Sequence, residues 1–394
     1  VDSGDLPIGR RVAQWRARRR MTQQMLADRL GKSKSWVDKV ERGARALDRF
    51  SVIQDVAQVL RVDPSVLVGG ATRQPTSTGT ELSLDDLRAA LARYGPHPTG
   101  PNSRPLAAGE LGRRVEHAWS TYQHAHYPQL VRMLPDLLGD AQRAPGTGGV
   151  AGRGPLVQAY RITASLLVKL GEADVAWLAA DRAVAVAAGD PLLAAVAAVP
   201  LGQALRASGR GRLALAALVA AARRLTPDGP PGVLSLAGTL LAEAGLAAAT
   251  CGDARRAGEL LDRAAALAER VGEGRDDHRT GFGPTSVEVA RVAAAVDLGD
   301  GGEAVARHET VTRTGGWRLL PVEHRAAHLV DAARAYLQVG DLPAAGRALV
   351  EADRTAPAEV RHRPAARTVI AELARSNPAP STMVHLATTL DPTR

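Results

Sequence analysis

The chain has 394 residues and a formal net charge of +9. That length exceeds one hydrophobic core and predicts two or three domains. Cys251 is the only cysteine, so an internal disulfide is excluded and a reducing compartment fits. No apolar run reads as long enough, at roughly 20 residues, to cross a bilayer. The first residues, VDSGDLPIG, lack a signal-peptide pattern. The expectation is a cytoplasmic protein without membrane contact.

In chain order, the first informative stretch is Met21–Gly43, MTQQMLADRLGKSKSWVDKVERG. Thr22 can cap a helix through its hydroxyl. Leu26, Ala27 and Leu30 recur at helical spacing and make one apolar face. Gly31 suits a helix stop, because glycine tolerates left-handed backbone. Ser33 can cap the next helix, which Val37 and Val40 bury, leaving Lys34, Ser35, Asp38 and Lys39 outward. Two helices, a glycine turn and a polar second-helix face are what insertion into a major groove requires.

Charge supports that reading. Residues 1–70 carry 14 Lys and Arg against 8 Asp and Glu, or +6 of the chain's +9. A basic surface is what counterion release from phosphates needs. Arg16, Arg18, Arg19 and Arg20 on one side, and Arg42, Arg45 and Arg49 on the other, flank the reading helix as expected phosphate contacts. The chain has 4 lysines against 46 arginines, and Lys32, Lys34 and Lys39 all fall at this turn and helix.

Residues 8–68 resemble the lambda-repressor/Cro-like, XRE-type family. The resemblance rests on Thr22, Gln23, Leu26, Ala27, Gly31, Ser33, Val37, Glu41 and Gly43. It continues through the apolar helix Phe50–Leu60 and the tail Val62–Leu67. It implies a five-helix domain at 1–68 that binds double-stranded DNA. Ser33, Lys34, Ser35 and Lys39 would approach base edges, and Gln23 would hold a phosphate. Arg16 would tie the first helix to Glu41. Trp36 departs from the family, which places a small residue there. It either packs on sugar or a thymine methyl, or folds back onto the domain.

Residues 69–105 read as a linker, Gly/Thr/Pro-rich at each end, with one short helix over Asp85–Tyr94. From 106 to 394 the chain is Ala/Leu/Arg-rich and helical, with loops expected at Ala144–Pro155 and Thr226–Gly232. One phrase recurs there: an Ala/Leu helix, a Gly turn, a polar step and a second Ala/Leu helix. Its turns are Gly171, Gly209, Gly252, Gly299 and Gly340, spaced by 38, 43, 47 and 41 residues. Repeats of that length predict an α-solenoid. The predicted fold class is therefore all-α, a Cro-like head followed by divergent helix pairs. The phrase resembles tetratricopeptide repeats. Head and tail together resemble peptide- and ligand-responsive quorum regulators, and more closely the XRE-type regulators with tetratricopeptide tails of GC-rich actinobacteria. In that family DDHRTGFGPTSV, here Asp276–Val287, and the APAEVRHRPAARTVIAELAR ending are recognisable.

The Asp276–Thr285 stretch interrupts the Ala/Leu texture with polar residues and a rare aromatic. Asp277, Arg279, Phe282 and Thr285 are the candidate ligand contacts, with a capped structural loop as the alternative. The pairs His324/His328 and His124/His126 lack the residues that accompany a zinc pair, so no metal or other cofactor is expected. GTGGVAGRG at 146–154 follows a helix and lacks a Lys-Ser/Thr ending, so it is not a phosphate loop. Cys251 reads as a small core residue. No catalytic set is found, and an enzyme is not expected. The sequence therefore predicts a DNA-binding regulator, a homodimer, whose repeats sense a peptide or small molecule. The alternative is a repeat domain that only docks a protein partner.

Overall fold

The computed structural model describes residues 8–19, 21–45, 84–93, 106–144, 150–226 and 228–375, with Val52, Asp55, Val56, Val59 and Leu60 between. Among the described residues there are eighteen α-helices and no strand. The chain divides into two compact units, Val1–Thr78 and Gly79–Arg394.

The first unit contains α1 (Ile8–Arg18), α2 (Gln23–Leu30) and α3 (Lys34–Glu41). Val12, Leu26, Ala27, Val37, Val40, Val56 and Leu60 form its core. A Cβ at Gly9 would lie 2.0 Å from the Val40 carbonyl oxygen, so only glycine lets α1 approach α3 this closely. Val52, Asp55, Val56, Val59 and Leu60 are helical. The remainder of the predicted fourth and fifth helices, together with Arg20 and Arg49, lies outside the described residues.

The second unit begins with α4 (Asp85–Leu91). This helix was expected in a linker, but Leu87, Ala90 and Leu91 are buried in the main repeat core. Arg88 also pairs with Glu172 at 2.7 Å. Its apolar face needs burial, and the repeats supply it. The array follows as α5 (Ala108–Gln123), α6 (Tyr127–Arg143), α7 (Val150–Lys169), α8 (Ala173–Ala187), α9 (Pro191–Ala207), α10 (Gly211–Arg223), α11 (Pro231–Thr250) and α12 (Ala254–Val271). After a loop come α13 (Pro284–Leu298), α14 (Gly301–Val311), α15 (Val322–Gln338), α16 (Leu342–Thr355), α17 (Pro357–His362) and α18 (Pro364–Arg375).

All five predicted turn glycines have positive φ, from 75° at Gly209 to 83° at Gly299. At three of these turns the residue after the glycine caps the next helix. Asp253, Asp300 and Asp341 each accept a backbone N–H three residues on. A sixth pair, α5/α6, turns at Ala125 with φ 56°, an alanine where the other turns carry glycine. Cys251, expected in the core, is exposed, and two further features differ from expectation. α7 already begins at Val150, inside the predicted Ala144–Pro155 loop. α11 is 20 residues long and apolar enough to cross a membrane by length and composition, although 67% of its apolar window is buried inside the unit. Its hydropathy is that of a helix packed on several sides.

The first helices of successive pairs, α7, α9, α11, α13 and α15, pack side by side as an inner layer. The array curls until its two ends meet. Tyr127 on α6 donates a hydrogen bond to Glu359 on α17. Lys169 at the end of α7 reaches Glu323 at 2.6 Å and Glu359 at 2.7 Å. Arg363 completes the group at 2.9 Å from Glu359, and His324 contacts Glu323 at 3.0 Å. Buried charges are tolerable only when paired like this, because desolvation otherwise outweighs the attraction.

Candidate nucleic-acid interface and repeat cavity

In the first unit the turn is built as a capped junction. Thr22 Oγ1 accepts the Met25 N–H at 3.1 Å, Gly31 closes α2 at φ 64°, and Ser33 Oγ accepts the Trp36 N–H at 3.1 Å. Arg16 holds α3 from beneath, with Nε 2.6 Å and Nη2 3.0 Å from the Glu41 carboxylate, and Nη1 2.7 Å from the Met21 carbonyl. The hydrogen bond to Glu41 raises the Arg16 pKa against the effect of burial. The result is a fixed α3 with Lys34, Ser35 and Lys39 exposed. None of Lys32, Lys34 and Lys39 has an ion-pair partner among the described residues.

The remaining predicted DNA contacts divide. Arg45 is exposed; Arg42 is exposed but paired with Asp38. Gln23 donates its amide to Glu41 at 2.9 Å, so its donor is turned inward instead of toward a phosphate. Ser33 is committed to capping through its hydroxyl. Trp36 is half-buried and packs against the domain core.

In the second unit the inner layer lines a half-open cavity of about 950 Å³. Trp119 and Tyr122 line one end, Arg161 and Lys169 come from α7, Gln203 and Arg206 from α9, and Glu243 from α11. α15 contributes Glu323, His324, His328, Asp331 and Arg334. Most of these charges are paired: Arg206 and Gln203 with Glu243, and Arg334 with Asp331 and Asp297. His328 is buried against His308, with Nε2 2.9 Å from Nδ1 of that ring, and Trp317 packs edge-on. Burial first, and His308 second, push the His328 pKa down to about 3.

The loop before α13 crosses this interior as a strut. Asp276 accepts from Gln123 at 2.9 Å, Arg279 pairs with Asp276 at 3.1 Å and with Glu116, and Asp277 pairs with Arg275 at 2.8 Å. His278 and Arg279 both take left-handed backbone, at φ 54° and 59°. That conformation is costly outside glycine and persists because these bonds over-determine it. The four predicted ligand contacts all have partners within the protein. Arg279 and Asp277 are held by opposite charges. Thr285 is buried, with its N–H and hydroxyl both donating to Glu273. Phe282 is a core residue at 3% exposure, seated where a Cβ on Gly238 would stand 2.0 Å from its ring. Arg279 and Phe282 do border the cavity, but with their chemistry already used.

These geometries can be set beside known proteins. Residues 7–67 match the family model of a helix-turn-helix domain. The helix-turn-helix domain therefore spans α1–α3 and the helical residues after them. A comparison with curated proteins finds no match. Among solved structures, Bacillus thuringiensis PlcR, crystallised with the peptide PapR7 and DNA, is similar over 77% of this chain and 94% of its own. The identity is 9% and the TM-score 0.38.

Two groups were missed in the sequence. The closing cluster of Tyr127, Lys169, Glu323, Glu359 and Arg363 is made of single residues far apart in the chain and left no local pattern. Arg161 did leave one. It is the lone charge in the apolar run LVQAYRITASLLV, where a buried cation has to find a purpose.

Proposed function

We propose that this chain is a transcription regulator whose helix-turn-helix domain binds double-stranded DNA sequence-specifically, in the cytoplasm. The observation that carries this reading is the fixed, Ser33-capped α3 with three lysines at its start and on its exposed face that have no ion-pair partner among the described residues. A surface built for water alone would gain from pairing them with nearby carboxylates; a surface built for phosphates and base edges would not. Lys39→Ala should weaken binding by about 1–3 kcal/mol and relax preference at one base. The measurement is affinity for a promoter fragment against random DNA. Equal loss on both would place Lys39 on a phosphate. Failure of the intact protein to prefer any promoter sequence would overturn the reading.

On this reading the protein acts as a homodimer, because one head of this size covers only a short half-site and two half-sites lie about 34–36 Å apart. Light scattering on the DNA-bound protein tests that; a stable monomer contradicts it. The repeat unit serves as the sensor of an effector and performs no chemistry. Support for an effector over mere docking of a partner protein comes from the cavity, a half-open concavity whose volume falls within the range that small ligands occupy, about 300–1,000 Å³.

A further inference from the structure

We propose that the repeat cavity is a site for a small organic anion, whose acidic group pairs with Arg161 beside Trp119 while its apolar body lies along the inner helices. This deepens the effector reading above and rests on it.

Arg161 is the arginine of this unit that is fully buried. It is 2% exposed, yet no carboxylate lies within ion-pair distance of it among the described residues. Its Nη1 donates to Gln158 at 2.8 Å and its Nη2 to the His278 carbonyl at 3.1 Å. Both acceptors are neutral, and Nε has none. Trp119 lies 5.0 Å beneath the guanidinium and is fixed by its own bond to Gln158 at 2.9 Å. A stacked guanidinium of this kind presents a planar fork of N–H groups, the geometry that matches a carboxylate, sulfonate or phosphate.

Two further orphaned atoms belong to the same lining. Arg206 Nε and His328 Nδ1 are likewise buried without a partner, and both residues line the same cavity. Buried polar groups in a folded protein are almost always satisfied, so several left unmet around one void mark a place where something polar is bound. Burial lowers the Arg161 pKa to about 10, and Asp276 only partly offsets it, so this cation is held at a cost that a bound anion removes. Val199, Leu246, Val289 and Leu337 supply apolar wall beside the charged residues. The chemistry required is one acidic group on an apolar body. A fatty acid fits it, and so does the free C-terminus of a short apolar peptide.

The test uses the full chain and two fluorescent probes of similar size, the anionic anilinonaphthalene sulfonate and the neutral phenyl-naphthylamine. Arg161→Gln should weaken the anionic probe about 10- to 100-fold, as loss of a charge-assisted pair does. The neutral probe should bind unchanged, and the melting temperature should hold or rise because an uncompensated buried charge is gone. Equal affinity of both proteins for the anionic probe would overturn the proposal. So would parallel loss of both probes with a lowered melting temperature, which assigns Arg161 to structure. Displacement arms then separate the sources: octanoate against octanol, and tetra-alanine with a free against an amidated C-terminus. Displacement by the acid member of either pair alone supports the site and names its source; displacement by both members equally refutes the acid requirement. Gel shifts on the same samples report DNA binding independently, so failure of the regulator reading is distinguishable from failure of this one.

Discussion

The chain has four lysines, and the two units use them in opposite ways. Three lie on the helix-turn-helix domain, exposed and without ion-pair partners among the described residues. The fourth, Lys169, sits inside the repeat unit between two carboxylates and beside a cluster that joins the ends of the array. The comparison extends to arginine. In the repeat unit Arg88, Arg279, Arg334 and Arg363 are each matched to acids. In the head, the buried Arg16–Glu41 pair braces α3, and Lys32, Lys34, Lys39 and Arg45 are exposed. Charge in the second unit is chiefly a structural material, and charge in the first is a surface offered to something else. Arg161 is the fully buried arginine of the second unit and, among the described residues, has no carboxylate partner.

The largest effect that would break this contrast is at Lys169. Lys169→Ala removes the cation shared by the buried Glu323 and Glu359, leaving only His324 and Arg363 beside them, and should cost about 3 kcal/mol in chemical denaturation of the repeat unit. Loss of less than the effect of an ordinary surface substitution would mean that the array does not depend on its closure. A second test concerns the strut. Gly238→Ala drives a methyl into the Phe282 ring and should cost about 1–3 kcal/mol. Combining it with Phe282→Leu should restore part of the loss, measured by melting. Additive losses in the double variant would deny that the two positions share one contact.

In the head the same kind of change should act on binding and spare stability. Lys34→Ala with Lys39→Ala should leave melting within about 0.5 kcal/mol of the parent. The slope of DNA affinity against salt should fall by about one for each lysine that holds a phosphate. A clear drop in melting would show that these side chains stabilise α3 and are not held in reserve.

The smallest effect is in the pH profile of the repeat unit. Burial alone would lower the His324 pKa, but Glu323 reverses this and raises it. A raised native value stabilises the fold below the ordinary histidine pKa, and that contribution fades as pH rises through the native value. His328 has the opposite sign. Its native value near 3 means that the unfolded ring takes up a proton in mild acid that the folded ring refuses, so stability falls as pH drops below the usual histidine range. Melting should therefore decline on both sides of about pH 6–7. His324→Gln should flatten only the alkaline side, by under about 1 kcal/mol for a half-buried pair. Flattening on the acid side instead would reverse the assignment.

What was legible in the sequence follows from the range of the forces involved. Thr22, Gly31 and Ser33 act within three or four residues, and the structure uses all three as the sequence suggests. The turn glycines are legible because a left-handed φ is a local demand that few other residues meet. The site side chains were less legible. Gln23 looked free because its partner, Glu41, is 18 residues away. Phe282 looked like a ligand contact because a lone aromatic in a polar loop has no visible neighbour. Its seat is the space left by Gly238 on another helix. The closing cluster was the least visible, since Lys169 and Glu359 are 190 residues apart and Tyr127 and Glu359 are 232 apart.

That closure bears on how such an array can change. An open solenoid gains or loses a unit cheaply, because each unit touches only the next and stability is nearly a sum of local terms. Here α6 and α7 are fastened to α15 and α17, so an inserted or deleted helix pair would carry Glu323 and Glu359 away from Lys169. Duplication, the usual way for repeat arrays to diversify, is closed to the helix pairs between those ends. Variation there is confined to substitution along the inner wall, with the number of pairs held constant by a handful of side chains at the seam.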